Sequence, residues 1–98
     1  MKYVLLYESA DDVASKAPVH FPAHQERLLT FHQQGELLMV GTFGDPQEQG
    51  SMAIFASRAG AERFVAGDPF VIHGVVRRWE LREWNEVLAP GGGPARGA

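Results

Sequence analysis

Two side chains in this sequence, His24 and Asp68, have the chemistry of an acid–base site. His24 shares a helical stripe with Phe21, Leu28 and Phe31, in the predicted first turn of a helix. The partial positive charge at a helix N-terminus disfavours imidazolium, so we expect a neutral ring. A neutral imidazole can serve as a general base or as a metal ligand. The alternative is a buried structural histidine that is bonded to a backbone carbonyl.

Asp68 is the weaker of the two candidates, because an aspartate before a proline often starts a turn or caps a helix. Asp45 has the same Asp-Pro sequence, but the polar residues of "GDPQEQG" around it indicate a solvent-exposed turn. Asp68 is followed by the apolar Phe70 and Val71 instead. Its carboxylate could therefore face a pocket, and helix capping is the alternative.

The other residue types that carry chemistry point to no further site. His20 and His24 could share a metal ion, but no third ligand lies at a diagnostic spacing. The chain contains no cysteine, which excludes disulfides, thiolate zinc sites and cysteine nucleophiles. It also lacks a nucleophile elbow and a phosphate-binding loop. The sequence implies no metal and no cofactor.

Length and charge narrow the class of protein. The chain has 98 residues, of which 45% are hydrophobic, and this is enough for one small domain. A net charge of −3 argues against nucleic-acid binding. No apolar run approaches the roughly 18–20 residues that span a membrane. The apolar stretch in "MKYVLLYESADD" is too short for a signal peptide, so we expect a cytoplasmic protein.

The elements that would position these side chains follow in the order β-α-β-β-α-β. The hydrophobic pattern predicts strands over residues 2–8, 36–43, 51–56 and 75–84. It predicts helices over about residues 22–34 and 58–66, a loop over 9–19, a turn over 44–50 and a break at Asp68-Pro69. The domain would cover residues 1–88, and the residues 89–98, rich in glycine and proline, would form a disordered tail.

This order of elements predicts a ferredoxin-like fold, which belongs to the α+β class. A four-stranded antiparallel sheet would carry both helices on one face. The first and third strands are apolar on both sides, so we expect them in the centre. The face without helices would expose apolar side chains, and a homodimer that packs sheet against sheet would cover them.

Three stretches together resemble the YCII-related (YciI-like) family of small bacterial proteins. They are "KYVLLY", "FPAHQERLLTFHQQGELLMVG" and "FVAGDPFVIHGVVRRWELREW". The resemblance implies a ferredoxin-like fold in a dimeric α/β-barrel arrangement and a cytoplasmic protein. It also implies a pocket with a His-Asp pair, which corresponds here to His24 and Asp68.

Members of this family linked to the dehydrochlorination of hydroxylated aromatics imply an enzyme of lyase or isomerase type. Its ligand would be a small organic molecule, and no cofactor would be needed. His24 would act as general base or acid, while Asp68 would hold the productive tautomer. Weaker candidates for the pocket wall are Tyr7, Gly41, Phe43 and Phe70. Two alternatives stay open, since a fold does not determine a function. They are a non-enzymatic metabolite-binding or regulatory homodimer, and a cofactor-free oxygenase.

Overall fold

Four antiparallel strands form one sheet in the order β2-β3-β1-β4. They are β1 (Lys2–Ser9), β2 (Leu37–Thr42), β3 (Ser51–Phe55) and β4 (Val76–Trp84). The computed structural model that gives this arrangement describes residues 1–91, 93 and 94. The central positions of β1 and β3 confirm the prediction made from their two apolar faces. The strand order and the helices between the strands confirm the predicted ferredoxin-like α+β fold.

Strand alternation divides the sheet into a covered and an open face. Leu5 and Tyr7 of β1 are buried in the core, together with Phe55 of β3 and Phe64 of the helical layer. Leu6, between Leu5 and Tyr7, points to the opposite face and is less covered. The core therefore lies on one side of the sheet, between the strands and the helices.

The first helix, α1 (Val13–Gln33), begins well before the predicted start at residue 22. The predicted loop over residues 9–19 is wrong, because α1 includes both Pro18 and Pro22. A proline inside a helix leaves the carbonyl four residues earlier without its partner, which for these two prolines means Ala14 and Pro18. Ala14, Pro18 and Pro22 are all exposed, so water can donate hydrogen bonds to the carbonyls of Ala14 and Pro18. The helix therefore continues through both prolines.

The remaining helices are α2 (Pro46–Gln49), α3 (Arg58–Gly67) and α4 (Pro69–Ile72). Ser57 is the N-cap of α3, since its Oγ accepts the backbone N–H of Gly60 at 3.0 Å. One-turn helices α2 and α4 replace part of the predicted turn and the predicted break. Each has an aspartate at the N-cap and a proline in its first turn, which is a helix-start signal as well as a turn signal.

The C-terminal end adds one short hairpin. Strand β5 (Leu88–Ala89) pairs with β6 (Gly93–Pro94), so part of the predicted tail is paired where it is described. Residues 92 and 95–98 of that tail lie outside the described residues, and its disorder stays a prediction. In the described part of the chain, every helix is too short or too polar to cross a bilayer. The cytoplasmic location stays a prediction.

Candidate active site

Asp68 is the centre of a buried hydrogen-bonded group. It lies between α3 and α4 and is 0% exposed. Its Oδ1 accepts Nδ1–H of His24 at 2.7 Å and the backbone N–H of Phe70 at 3.1 Å. Its Oδ2 accepts the hydroxyl of Tyr7 at 2.6 Å. An ionised carboxylate can only accept hydrogen bonds, and these three donors replace the water that burial removes.

His24 is held by α1, although not in the position predicted for it. The helix begins at Val13, so His24 lies near its middle and not in its first turn. The expected effect of the helix N-terminus on His24 is therefore wrong, because that effect fades within the first turn. The imidazole is held instead by the hydrogen bond of Nδ1 to Asp68 and by the ring of Phe70. The two rings stack with their centroids 3.8 Å apart and an interplanar angle of 2°.

Helix α4 docks on α1 through two parallel ring stacks. Phe70 lies on His24, and His73 lies on His20 with ring centroids 4.1 Å apart and an angle of 4°. His20 and His24 are one turn apart on α1, so both stacks fall on the same face of that helix. This docking keeps the N-cap of α4, which is Asp68, within reach of His24.

Arg27 attaches α1 to the end of α3, the segment that leads into Asp68. Its Nε donates to the carbonyl of Phe64 at 3.2 Å, and its Nη2 donates to the carbonyl of Arg63 at 2.8 Å. These are carbonyls of the last turns of α3, which a cation stabilises. Arg27 therefore holds the helix of His24 against the helix that precedes Asp68.

The proton on the His24 ring can be assigned from its partner. Because the Asp68 carboxylate accepts, Nδ1 carries the hydrogen, and in the neutral ring the free lone pair is therefore on Nε2. Within the described residues, no hydrogen bond reaches Nε2 and no buried polar side-chain atom lacks a partner. Nε2 therefore keeps contact with solvent. A ring in this state can take a proton from a small molecule or return one.

Tyr7 joins the pair as a third member. Burial raises the pKa of its hydroxyl, and the charge of Asp68 and the hydrogen bond to Asp68 raise it further. The charge of Arg27 lowers the pKa of this hydroxyl, but it does not reverse the net rise. Tyr7 therefore stays a protonated donor at neutral pH. Tyr7 was predicted as a residue of the pocket wall. The sequence indicates that Tyr7 shares a strand face with Leu5, but it does not indicate the hydrogen bond to Asp68.

A small cavity of about 20 Å³ adjoins His24, which is room for about one water molecule. Tyr7 lines it, and Phe70 covers the His24 ring, so these two predicted wall residues lie at the site. Gly41 and Phe43 are not brought to it. They line a separate cavity of about 210 Å³ along β2.

A metal centre is not formed by the side chains that the structure describes. Among them, no cluster of three or more histidine, aspartate or glutamate residues is placed to bind a metal ion. His20 stacks on His73 and does not share a ligand position with His24. The expected absence of a cofactor stays a prediction.

Comparison with known proteins identifies the family of this chain. The family model of the YCII-related domain matches residues 1–85. The chain belongs to the YCII-related family. Among curated protein sequences, none matches this YCII-related chain.

A solved structure of similar fold is 5-chloro-2-hydroxyhydroquinone dehydrochlorinase from Burkholderia phenoliruptrix AC1100, in complex with 2,5-dihydroxybenzoquinone. The TM-score is 0.68 at 19% identity, and the match covers 88% of this chain and 95% of that chain. At this identity the similarity shows the fold alone, which is the ferredoxin-like α+β fold described above.

Proposed function

We propose that this YCII-related protein is a lyase or isomerase in which His24 is the general base and acid. The observation that carries the proposal is the chain of hydrogen bonds from Tyr7 to Asp68 to His24. It supports the Nδ1–H tautomer of the neutral imidazole, in which the lone pair of Nε2 is in contact with solvent. Asp68 then stabilises the imidazolium that forms when Nε2 takes a proton, as the acid does in other His-Asp pairs.

The proposed substrate class is a hydroxylated aromatic molecule with a leaving group such as chloride on the ring. Support comes from the similar fold of a dehydrochlorinase that was solved with a dihydroxybenzoquinone. Nε2 would first move a hydroxyl proton to the ring carbon that bears chlorine, which makes this carbon tetrahedral. It would then take a second hydroxyl proton while the electron pair of the C–Cl bond leaves with chloride. The net change is the loss of one proton and one chloride.

The site would operate in a homodimer, as the open face of the sheet suggests. A cavity of about 470 Å³ on this face is bordered by the apolar side chains of Val4, Leu6, Met52, Ile54 and Trp84, with the charged Arg82 and Glu83 beside them on β4. Trp84 is 46% exposed, although tryptophan is usually well covered. An apolar sheet surface of this kind needs a partner in water, and a second copy of the chain would supply a matching surface.

The test is chloride release from 5-chloro-2-hydroxyhydroquinone by the purified protein. General acid–base catalysis contributes about 10²- to 10⁴-fold, so His24→Asn should slow the release by at least about 100-fold. His32→Asn is the matched control, because His32 is exposed and its ring bonds to the carbonyl of Leu37 rather than to Asp68. A His24→Asn protein as active as the wild type would contradict the proposal.

Two further measurements separate the alternatives. Binding of 2,5-dihydroxybenzoquinone without turnover of the chlorinated compound would favour the metabolite-binding homodimer. Oxygen consumption, followed during the same reaction, would favour the cofactor-free oxygenase. Both results would count against a lyase.

A further inference from the structure

The edge strand β2 contains a β-bulge that changes which residue faces the helices. Leu37 pairs with Phe55 and Val40 pairs with Ala53, so β2 uses one residue more than β3 over this stretch. Side chains alternate between faces along a regular strand, so without the bulge Met39 would share the face of Leu37. The bulge places Val40 there instead, opposite the buried Ala53.

Val40 lies where the cavity beside His24 meets the solvent. It lines that cavity, and it is 49% exposed. Among the described residues that line the cavity, the others are buried or half-buried. Leu28 of α1 is one of these half-buried residues. A molecule that approaches Nε2 of His24 through this cavity therefore passes Val40.

The cavity is much too small for an aromatic ring. Its volume of about 20 Å³ accommodates about one water molecule, whereas small-molecule sites have volumes of roughly 300–1,000 Å³. A wall residue must therefore move before a ring can reach His24. Val40 is on an edge strand, which is paired on one side by β3 within the described sheet, and it is next to a bulge. It is less constrained than the wall residues on the central strands.

We infer that Val40 narrows the entrance to Nε2 of His24 and sets the size of the molecule that reaches it. The inference rests on the proposed role of His24 as the reacting residue. Val40 borders the path to His24 and transfers no proton. Its role is therefore to determine which molecules reach the site.

The test measures access to His24 without requiring turnover. Diethyl pyrocarbonate modifies neutral imidazole, and peptide mass spectrometry gives the rate at each of the four histidines. Val40→Ala should raise the rate at His24 by about tenfold, because a misfit of one methylene between a molecule and a hydrophobic pocket changes discrimination by roughly 10- to 200-fold. Val40→Phe should lower the rate, and 2,5-dihydroxybenzoquinone should protect His24 better in Val40→Ala than in the wild type.

Met39→Ala is the matched control. Met39 is adjacent to Val40, is 66% exposed and belongs to the opposite face. Its loss should leave the His24 rate within about twofold of the wild type, because it does not line the cavity. Equal rates in Val40→Ala and the wild type, or equal increases in Val40→Ala and Met39→Ala, would overturn the inference. If Val40→Ala exposes His24 while no chlorinated hydroquinone is turned over, the inference stands and the proposed reaction fails.

Discussion

Replacing Tyr7 by phenylalanine tests the buried hydrogen-bond chain through stability. The change removes one hydroxyl and keeps the ring, so Oδ2 of Asp68 loses its donor while Asp68 stays fully buried. A hydrogen bond to a charged group contributes about 1.5–3 kcal/mol. We expect Tyr7→Phe to lower the free energy of unfolding by about 2 kcal/mol. For a domain of this size, about 4–8 °C per kcal/mol gives a fall in Tm of about 8–16 °C.

The same variant should change how stability depends on alkaline pH. The pKa of Tyr7 is raised above the ordinary value of 10.0, so the folded protein keeps a proton that the unfolded chain releases. This contribution is complete below about pH 10 and is lost as pH rises above it. The loss of stability above pH 10 should therefore be smaller in Tyr7→Phe than in the wild type.

Urea denaturation at pH 7.5 and at about pH 11, at one protein concentration, measures both effects. Tyr3→Phe is the control, since the Tyr3 hydroxyl donates to the sulfur of Met1 in an exposed contact. It should change the free energy of unfolding by less than about 0.5 kcal/mol. If Tyr7→Phe is as stable as Tyr3→Phe at pH 7.5, the hydrogen bond does not stabilise the fold and the reasoning is refuted.

Substitutions at three other positions test the structure around the site and the open face of the sheet. Asp68→Ala removes the acceptor of two buried donors and should lower the free energy of unfolding by about 4 kcal/mol. Asp68→Asn keeps one oxygen and should lower it by about 1–2 kcal/mol. Urea denaturation measures both values, and equal losses would contradict the hydrogen-bond assignment. Gly50→Ala should cost about 3 kcal/mol or more, because Gly50 has φ +77° and a Cβ would overlap the carbonyl oxygen of Tyr7. A melting curve unchanged by Gly50→Ala would show that Gly50 and the carbonyl oxygen of Tyr7 are not in close contact. Leu6→Glu places a charge on the open face of the sheet and should convert a dimer into a monomer. Sedimentation at micromolar concentration measures this, and a dimer that persists in the variant would place the interface elsewhere.

The sheet could be predicted from the sequence because strand periodicity depends on which residues are buried. The strand of Leu5 and Tyr7 is apolar on both sides, and this pattern alone indicated a central position, which the strand order confirms. The start of α1 was not predictable in the same way. Pro18 and Pro22 are usually stop signals, and their tolerance depends on the solvent exposure of carbonyls that the sequence does not reveal.

The candidate site was predictable as residue types but not as a geometry. His24 was found from its place on an apolar stripe, and Asp68 from its apolar neighbours. Their hydrogen bond depends on the docking of the one-turn helix α4, which was predicted as a break. The contact of Tyr7 with Asp68 joins residues far apart in the chain. The position of Val40 depends on a bulge, which binary patterning does not identify because residues on both sides of it are apolar.

The proposed role of His24 depends most directly on which of its ring nitrogens carries the proton, and nitrogen-15 NMR of the imidazole measures this. At about pH 9, where free imidazole is neutral, the two ring nitrogens have clearly different shifts. We expect a protonated Nδ1 and an unprotonated Nε2 in the wild type, with this preference weakened in Asp68→Ala. A wild-type His24 that is protonated on Nε2 would contradict the hydrogen bond to Asp68 and remove the base from the proposed mechanism.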